Sequence, residues 1–71
     1  MNNNTDIPEH VRLSLSRLQE ERGKSGISRT ELHKLSGVRE NIIAAYEEGQ
    51  GTPTKSKYNR LAEIFDWELW D

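Results

Sequence analysis

Eight cationic side chains, Arg22, Lys24, Arg29, Lys34, Arg39, Lys55, Lys57 and Arg60, fall within residues 22–60 against four carboxylates, Glu31, Glu40, Glu47 and Glu48, a local balance of +4. Side chains of this type bind phosphate oxygens, and a cationic stretch is the electrostatic footprint of a nucleic-acid contact. The flanks have the opposite sign: residues 1–21 balance at -2, and residues 61–71, with Glu63, Asp66, Glu68 and Asp71, at -4. The formal net charge of -2 therefore hides a cationic centre. Charge alone fits an ordinary solvated surface equally well.

Other reactive residue types do not combine into a site. His10 and His33 have no second ligand at a zinc-compatible spacing, and there is no Cys to supply thiolates or disulfides. The serines lack a neighbouring base with an orienting acid, and Gly23-Lys24-Ser25-Gly26 is too short for a phosphate-cradling loop. The pattern implies no enzyme, no cofactor, no metal and no small-molecule substrate. No stretch of about 18 apolar residues occurs, and the start Met-Asn-Asn-Asn-Thr-Asp does not read as a leader, so no membrane is implied and a cytoplasmic protein is expected.

A chain of 71 residues has room for one domain, and a domain that small buries roughly 60% of its unfolded surface. Residues 1–5 read as a disordered arm and residues 6–71 as the domain. The first helix is expected from Asp6-Ile7-Pro8-Glu9, with Asp6 as cap and Pro8 in the first turn. Ile7, Val11, Leu15 and Leu18 share one inward stripe, with Leu13 opposite. Gly23-Lys24-Ser25-Gly26 is expected to end it. Ser28-Arg29-Thr30-Glu31 forms a capping box for a second helix over about residues 28–35, with Leu32 and Leu35 as its apolar positions. Ser36-Gly37-Val38 is a tight corner, with Gly37 left-handed and Val38 plugging the core.

A third helix is expected over about residues 39–48, carrying Ile42, Ile43 and Tyr46 and stopped by Gly49. After the loop at residues 49–53, Thr54 caps a fourth helix presenting Tyr58, Leu61, Ala62 and Phe65 inward. Asp66 to Asp71 is expected as a short terminal turn with Trp67, Leu69 and Trp70. With no alternating run long enough for a strand, the fold class is all-α, four or five short helices. Two short helices around a glycine corner let the second project, and an α-helix fits the major groove of B-DNA.

Leu15-Ser16-Arg17-Leu18-Gln19-Glu20-Glu21-Arg22-Gly23, Ile27-Ser28-x-x-Glu31-Leu32, Ser36-Gly37-Val38, Ile43, Glu47-x-Gly49, Pro53 and Leu61-Ala62 resemble, in order and spacing, the Cro/C1-repressor (XRE-like) helix-turn-helix family. The resemblance covers about residues 11–66. It implies a lambda-repressor-like five-helix domain that binds operator DNA as a two-fold homodimer and regulates transcription, commonly as a repressor, in a bacterium, phage or mobile element. It implies backbone contacts through Ser28, Arg29 and Thr30, and through Thr52, Thr54, Lys55 and Lys57. The groove-facing positions map onto Arg39, Glu40, Asn41, Ala44, Ala45 and Glu48.

Residue chemistry fits several of these roles. Arg39 can fork onto guanine O6 and N7, Asn41 onto adenine N6 and N7, and Glu40 can accept from cytosine N4. The methyl groups of Ala44 and Ala45 suit thymine methyls. Three features depart from the family pattern: His33 stands where a small residue is usual, the connection after Gly23 is longer, and the reading helix ends in Glu47-Glu48. An imidazole at that crossing is expected to change the helix angle or point outward. Trp67 is expected to be buried, whereas Leu69 and Trp70 are candidates for a dimer or partner surface, because aromatic residues are enriched in interface cores. Net acidity, His33 and Ala44-Ala45 leave open a second class, a protein-interaction module on the same fold such as an antirepressor or antitoxin component.

Overall fold

The computed structural model describes residues 7–71; the arm assigned to residues 1–5 and the Asp6 cap lie outside them. Five α-helices follow one another, α1 (Glu9–Ser16), α2 (Leu18–Ser25), α3 (Arg29–Ser36), α4 (Glu40–Glu47) and α5 (Lys55–Phe65), with no strand among the described residues. Helices of eight to eleven residues are too short to persist alone in water, so tertiary packing must hold them. Every helix contributes to one core: Val11 and Leu15 from α1, Leu18 from α2, Leu32 from α3, Ile43 and Tyr46 from α4, and Tyr58, Leu61 and Ala62 from α5. Val38 fills the space beneath the corner between α3 and α4. Full burial of each large member stabilises the fold by about 1.5–3 kcal/mol.

The expected first helix is divided at Arg17. In an unbroken helix the Leu13 carbonyl would accept from the Arg17 amide. Instead the Ser16 hydroxyl donates to that carbonyl at 2.6 Å and the Arg17 amide turns to Ser14 at 3.0 Å. Serine bonding back to its own helix bends helices in this way. The stop expected over Gly23-Lys24-Ser25-Gly26 falls at its last residue: Gly23 lies inside α2, and Gly26, at φ 70° and ψ 25°, is the left-handed cap. Ser28 accepts from the Glu31 amide at 3.0 Å, and Thr54 from the Lys57 amide at 3.3 Å, as capping residues do.

Leu35 corrects the expectation for α3. The inward positions are Leu32 and Ser36, and Leu35 is 60% exposed. The slot beside Leu32 is taken by Ser36, whose hydroxyl donates to the Leu32 carbonyl at 2.7 Å and accepts from the Val38 amide at 3.0 Å.

Past α5 the chain reverses at Asp66, which takes left-handed backbone angles, and the Trp67 amide donates to Ala62 O at 2.8 Å. Residues 67–71 form a strap without regular secondary structure, in place of the expected turn. Trp67 is half-buried, stacked on Phe65 at 5.2 Å and on Tyr58 at 5.9 Å between ring centroids. The Tyr58 hydroxyl donates to Glu68 O at 2.6 Å, and Asn59 pairs with both the amide and the carbonyl of Trp70 at 2.7 and 2.9 Å.

Candidate nucleic-acid interface

α4 turns Ile43 and Tyr46 into the core, which leaves the remaining positions of the helix to other surroundings. Arg39 is its N-cap residue in extended conformation, and Arg39, Glu40 and Asn41 are exposed at its amino end. Among the described residues none of these three side chains makes a hydrogen bond or ion pair within the chain. Their donors and acceptors are open to another molecule. Ala44 and Ala45 are half-buried, and Glu48 is exposed just past the helix. Burial raises the pKa of the Tyr46 hydroxyl, with the Thr54 backbone pulling the other way, so the phenol stays neutral at physiological pH.

The corner before α4 is held by its own side chains. Gly37 is left-handed at φ 79°, a conformation glycine adopts without steric cost. A side chain there would also meet the Arg60 guanidinium at 3.0 Å. His33 does not point outward: its ring is half-buried and folds over the corner, with Nδ1 3.0 Å from the Val38 carbonyl.

Glu47, one of the two acidic residues at the end of the reading helix, faces inward. Its carboxylate is 1% exposed and receives Arg22 Nε on Oε2 at 2.7 Å, with Arg22 Nη2 on Oε1 at 3.3 Å. Arg29 adds Nε and Nη2 on Oε1 at 3.0 and 2.8 Å. Arg22 also donates to Ile27 O at 3.0 Å. Burial alone would raise the Glu47 pKa, but hydrogen bonds and charge from Arg22 and Arg29 outweigh it, and the net shift is downward. The same hydrogen bond, opposed by desolvation, raises Arg22. Glu47 thus stays ionised and draws the end of α4 onto α2 and the start of α3.

The residues expected at the sugar-phosphate backbone fare differently from one another. Ser28 and Thr54 are spent as caps through their side-chain oxygens but remain exposed, and Arg29 is committed to Glu47 while its side chain keeps 39% exposure. Thr30, Thr52 and Lys55 are exposed and Lys57 is half-buried. At the other end of the molecule Leu69 is 44% exposed, whereas Trp70 is half-buried, edge-on to Tyr58 at 6.3 Å. The Arg22–Glu47–Arg29 cluster and the Asn59 clip escaped the sequence reading. They join residues with no periodic relationship, and only the acidic character of position 47 hinted at the first.

The profile of the helix-turn-helix family matches residues 18–68. The chain belongs to that family, in its Cro/C1-repressor branch. It is also 43% identical over 59 residues to a Pyrococcus furiosus protein provisionally named an HTH-type transcriptional regulatory protein; the match covers 83% of this chain and 19% of the relative. The chain therefore spans about a fifth of that relative's length. No solved structure matches it at a significant level. No helix among the described residues is long and apolar enough to cross a membrane.

Proposed function

We propose that this domain is the DNA-reading part of a transcriptional regulator, binding double-stranded DNA sequence-specifically with α4 in the major groove. The observation that carries the reading is the amino end of α4, where Arg39, Glu40 and Asn41 are exposed without partners in the chain. Family membership and the regulatory name of the Pyrococcus furiosus relative support it. Arg39 and Asn41 read guanine and adenine edges, each bidentate pair discriminating by about 1–3 kcal/mol. Ala44 and Ala45 lie toward thymine methyls, and Glu40 toward cytosine N4. Ser28, Thr30, Thr52, Thr54, Lys55 and Lys57 approach phosphates, with Arg29 reaching them only by the part of its guanidinium that Glu47 leaves open. Two copies meet about a two-fold axis through the strap carrying Leu69 and Trp70, and the bound pair represses by occupying its operator.

Selection from random duplexes at two salt concentrations, with Arg39→Ala and Asn41→Ala alongside, tests this. A two-fold symmetric site that both variants lose is the expected result. Binding only at low salt, without enrichment, overturns it. Exposed Leu35, beside the corner that leads into α4, favours the second reading, a protein-interaction module; on that reading affinity for the partner is nearly insensitive to salt, whereas phosphate-based binding is steeply sensitive.

A further inference from the structure

The geometry points to His33 as a positioning residue for the reading helix: its Nδ1–H holds the Val38 carbonyl and so sets how the base-facing end of α4 leaves the corner. This rests on α4 being the DNA-reading helix.

The Val38 peptide groups are gripped on both sides by side chains of α3. Ser36 Oγ accepts from the Val38 amide at 3.0 Å and donates its own hydrogen bond to Leu32 O at 2.7 Å, so a single hydroxyl serves both bonds. On the other side, Val38 O lies 3.0 Å from His33 Nδ1. The Val38 side chain is itself 1% exposed in the core. Amide, carbonyl and side chain are all anchored, and the next residue is Arg39. The Arg39 carbonyl accepts from the amides of Ile42 and Ile43, each at 3.0 Å, which closes the first turn of α4. One residue therefore separates the clamp from the start of the reading helix, and Arg39, Glu40 and Asn41 sit on that start.

A carbonyl only accepts, so Nδ1 carries the proton whether the ring is neutral or charged; the neutral ring is the Nδ1–H tautomer. The small residue that the family resemblance implies here has no donor and leaves Val38 O to water. The imidazole is thus an added fixing point and not a tolerated intrusion. Ordering the start of α4 in the free protein removes a cost that DNA would otherwise have to meet on binding.

The test uses His33→Ala, His33→Asn and His33→Gln in the whole chain. An Asn side-chain nitrogen falls near the position of Nδ1, whereas that of Gln falls near Nε2, so only Asn restores the donor. Three readouts are taken: ring nitrogen shifts of wild-type His33, amide exchange at Ile42 and Ile43, and affinity for the selected and for an unrelated duplex. The expected results are an Nδ1–H ring, faster exchange at both amides in the Ala and Gln variants, and a loss of about fivefold in affinity for the selected duplex. Asn stays close to wild type, and the unrelated duplex is affected less. An Nε2–H ring, or an Asn variant no better than Ala in amide exchange, overturns the proposal even if variants fold poorly. If wild type selects no duplex, the DNA reading fails, while the ring tautomer and amide exchange still decide whether the clamp exists. Equal loss on both duplexes means that the clamp stabilises the fold without aiming α4, and overturns the positioning role.

Discussion

Arg22 Nε and Glu47 Oε2 stand 2.7 Å apart although 25 residues separate them in sequence, and the carboxylate is 1% exposed. With Arg29 on the same carboxylate, this contact fixes the carboxyl end of α4 as the His33 and Ser36 clamp fixes its amino end. Removing one partner of a buried ion pair leaves the others desolvated and unpaired. Glu47→Ala is therefore expected to cost about 3 kcal/mol, the lower end for such pairs because the arginines keep some water access. Arg22→Ala, losing the less exposed partner, should cost more than Arg29→Ala. Urea unfolding checks both, and a Glu47→Ala variant as stable as wild type would sink the assignment.

The same carboxylate sets an acid limit. Its folded-state pKa lies below the ordinary value because Arg22 and Arg29 outweigh the penalty of burial. Its contribution is complete above the unfolded value of about 4.3, and is lost as pH falls through the lower folded value. Stability should hold from neutrality down to about pH 4.3 as far as Glu47 is concerned, then decline, and Glu47→Gln should flatten that decline. Thermal melts between neutrality and strong acid give the slope for each protein.

What was legible in the sequence follows from periodicity and punctuation. The stripe of Val11, Leu15 and Leu18, the caps Ser28 and Thr54 and the left-handed Gly37 are all where spacing and residue type put them. The interruption at Arg17 carries no Gly or Pro. It arises from one serine proton captured by a carbonyl, which composition does not reveal. Leu35 was misplaced because in two turns of helix two neighbouring positions compete for one inward slot, and Ser36 won it through hydrogen bonds. On the site, the open face of α4 followed from the family pattern, but the diversion of Arg29 to Glu47 depends on a three-dimensional encounter.

Gly23 and Gly26 separate backbone conformation from space. A side chain at either meets nothing within 4 Å, but Gly26 is left-handed at φ 70° and Gly23 is helical. Gly23→Ala should stabilise the protein by about 0.5–1 kcal/mol through helix propensity. Gly26→Ala should destabilise it by about 1–2 kcal/mol through left-handed strain. Opposite shifts in melting temperature are the expected outcome, and shifts of one sign would mean that α2 does not end where described.

The strap depends on Asn59, whose amide donates to Trp70 O and accepts from Trp70 N–H. Asn59→Asp keeps the acceptor but sets a carboxylate against a carbonyl, so it should release Trp70 more completely than the loss of a single hydrogen bond. Trp67, stacked between Tyr58 and Phe65, stays in place. Tryptophan emission should shift to the red by a part of its range, with Trp70→Phe removing the shifting component. A variant whose spectrum equals wild type would show that Asn59 does not hold the strap.

Lys55 and Arg29 were both assigned to DNA phosphates, and the structure gives them different commitments. Lys55 is exposed at the start of α5 and has no ion pair among the described residues, whereas Arg29 donates twice to Glu47. Each phosphate contact contributes a slope of about 0.9 to the dependence of log affinity on log salt. Lys55→Ala should reduce that slope by about 0.9 without moving the melting temperature. Arg29→Ala should lower the melting temperature through Glu47 and change the slope by clearly less, because two of its five donors are held by Glu47 and its charge is already paired there. Salt titrations of the two variants on one selected duplex, beside their melts, measure both quantities. The reverse pattern, a full slope change for Arg29 with unchanged stability, would mean that Arg29 releases Glu47 when DNA arrives, and that the cluster opens on binding.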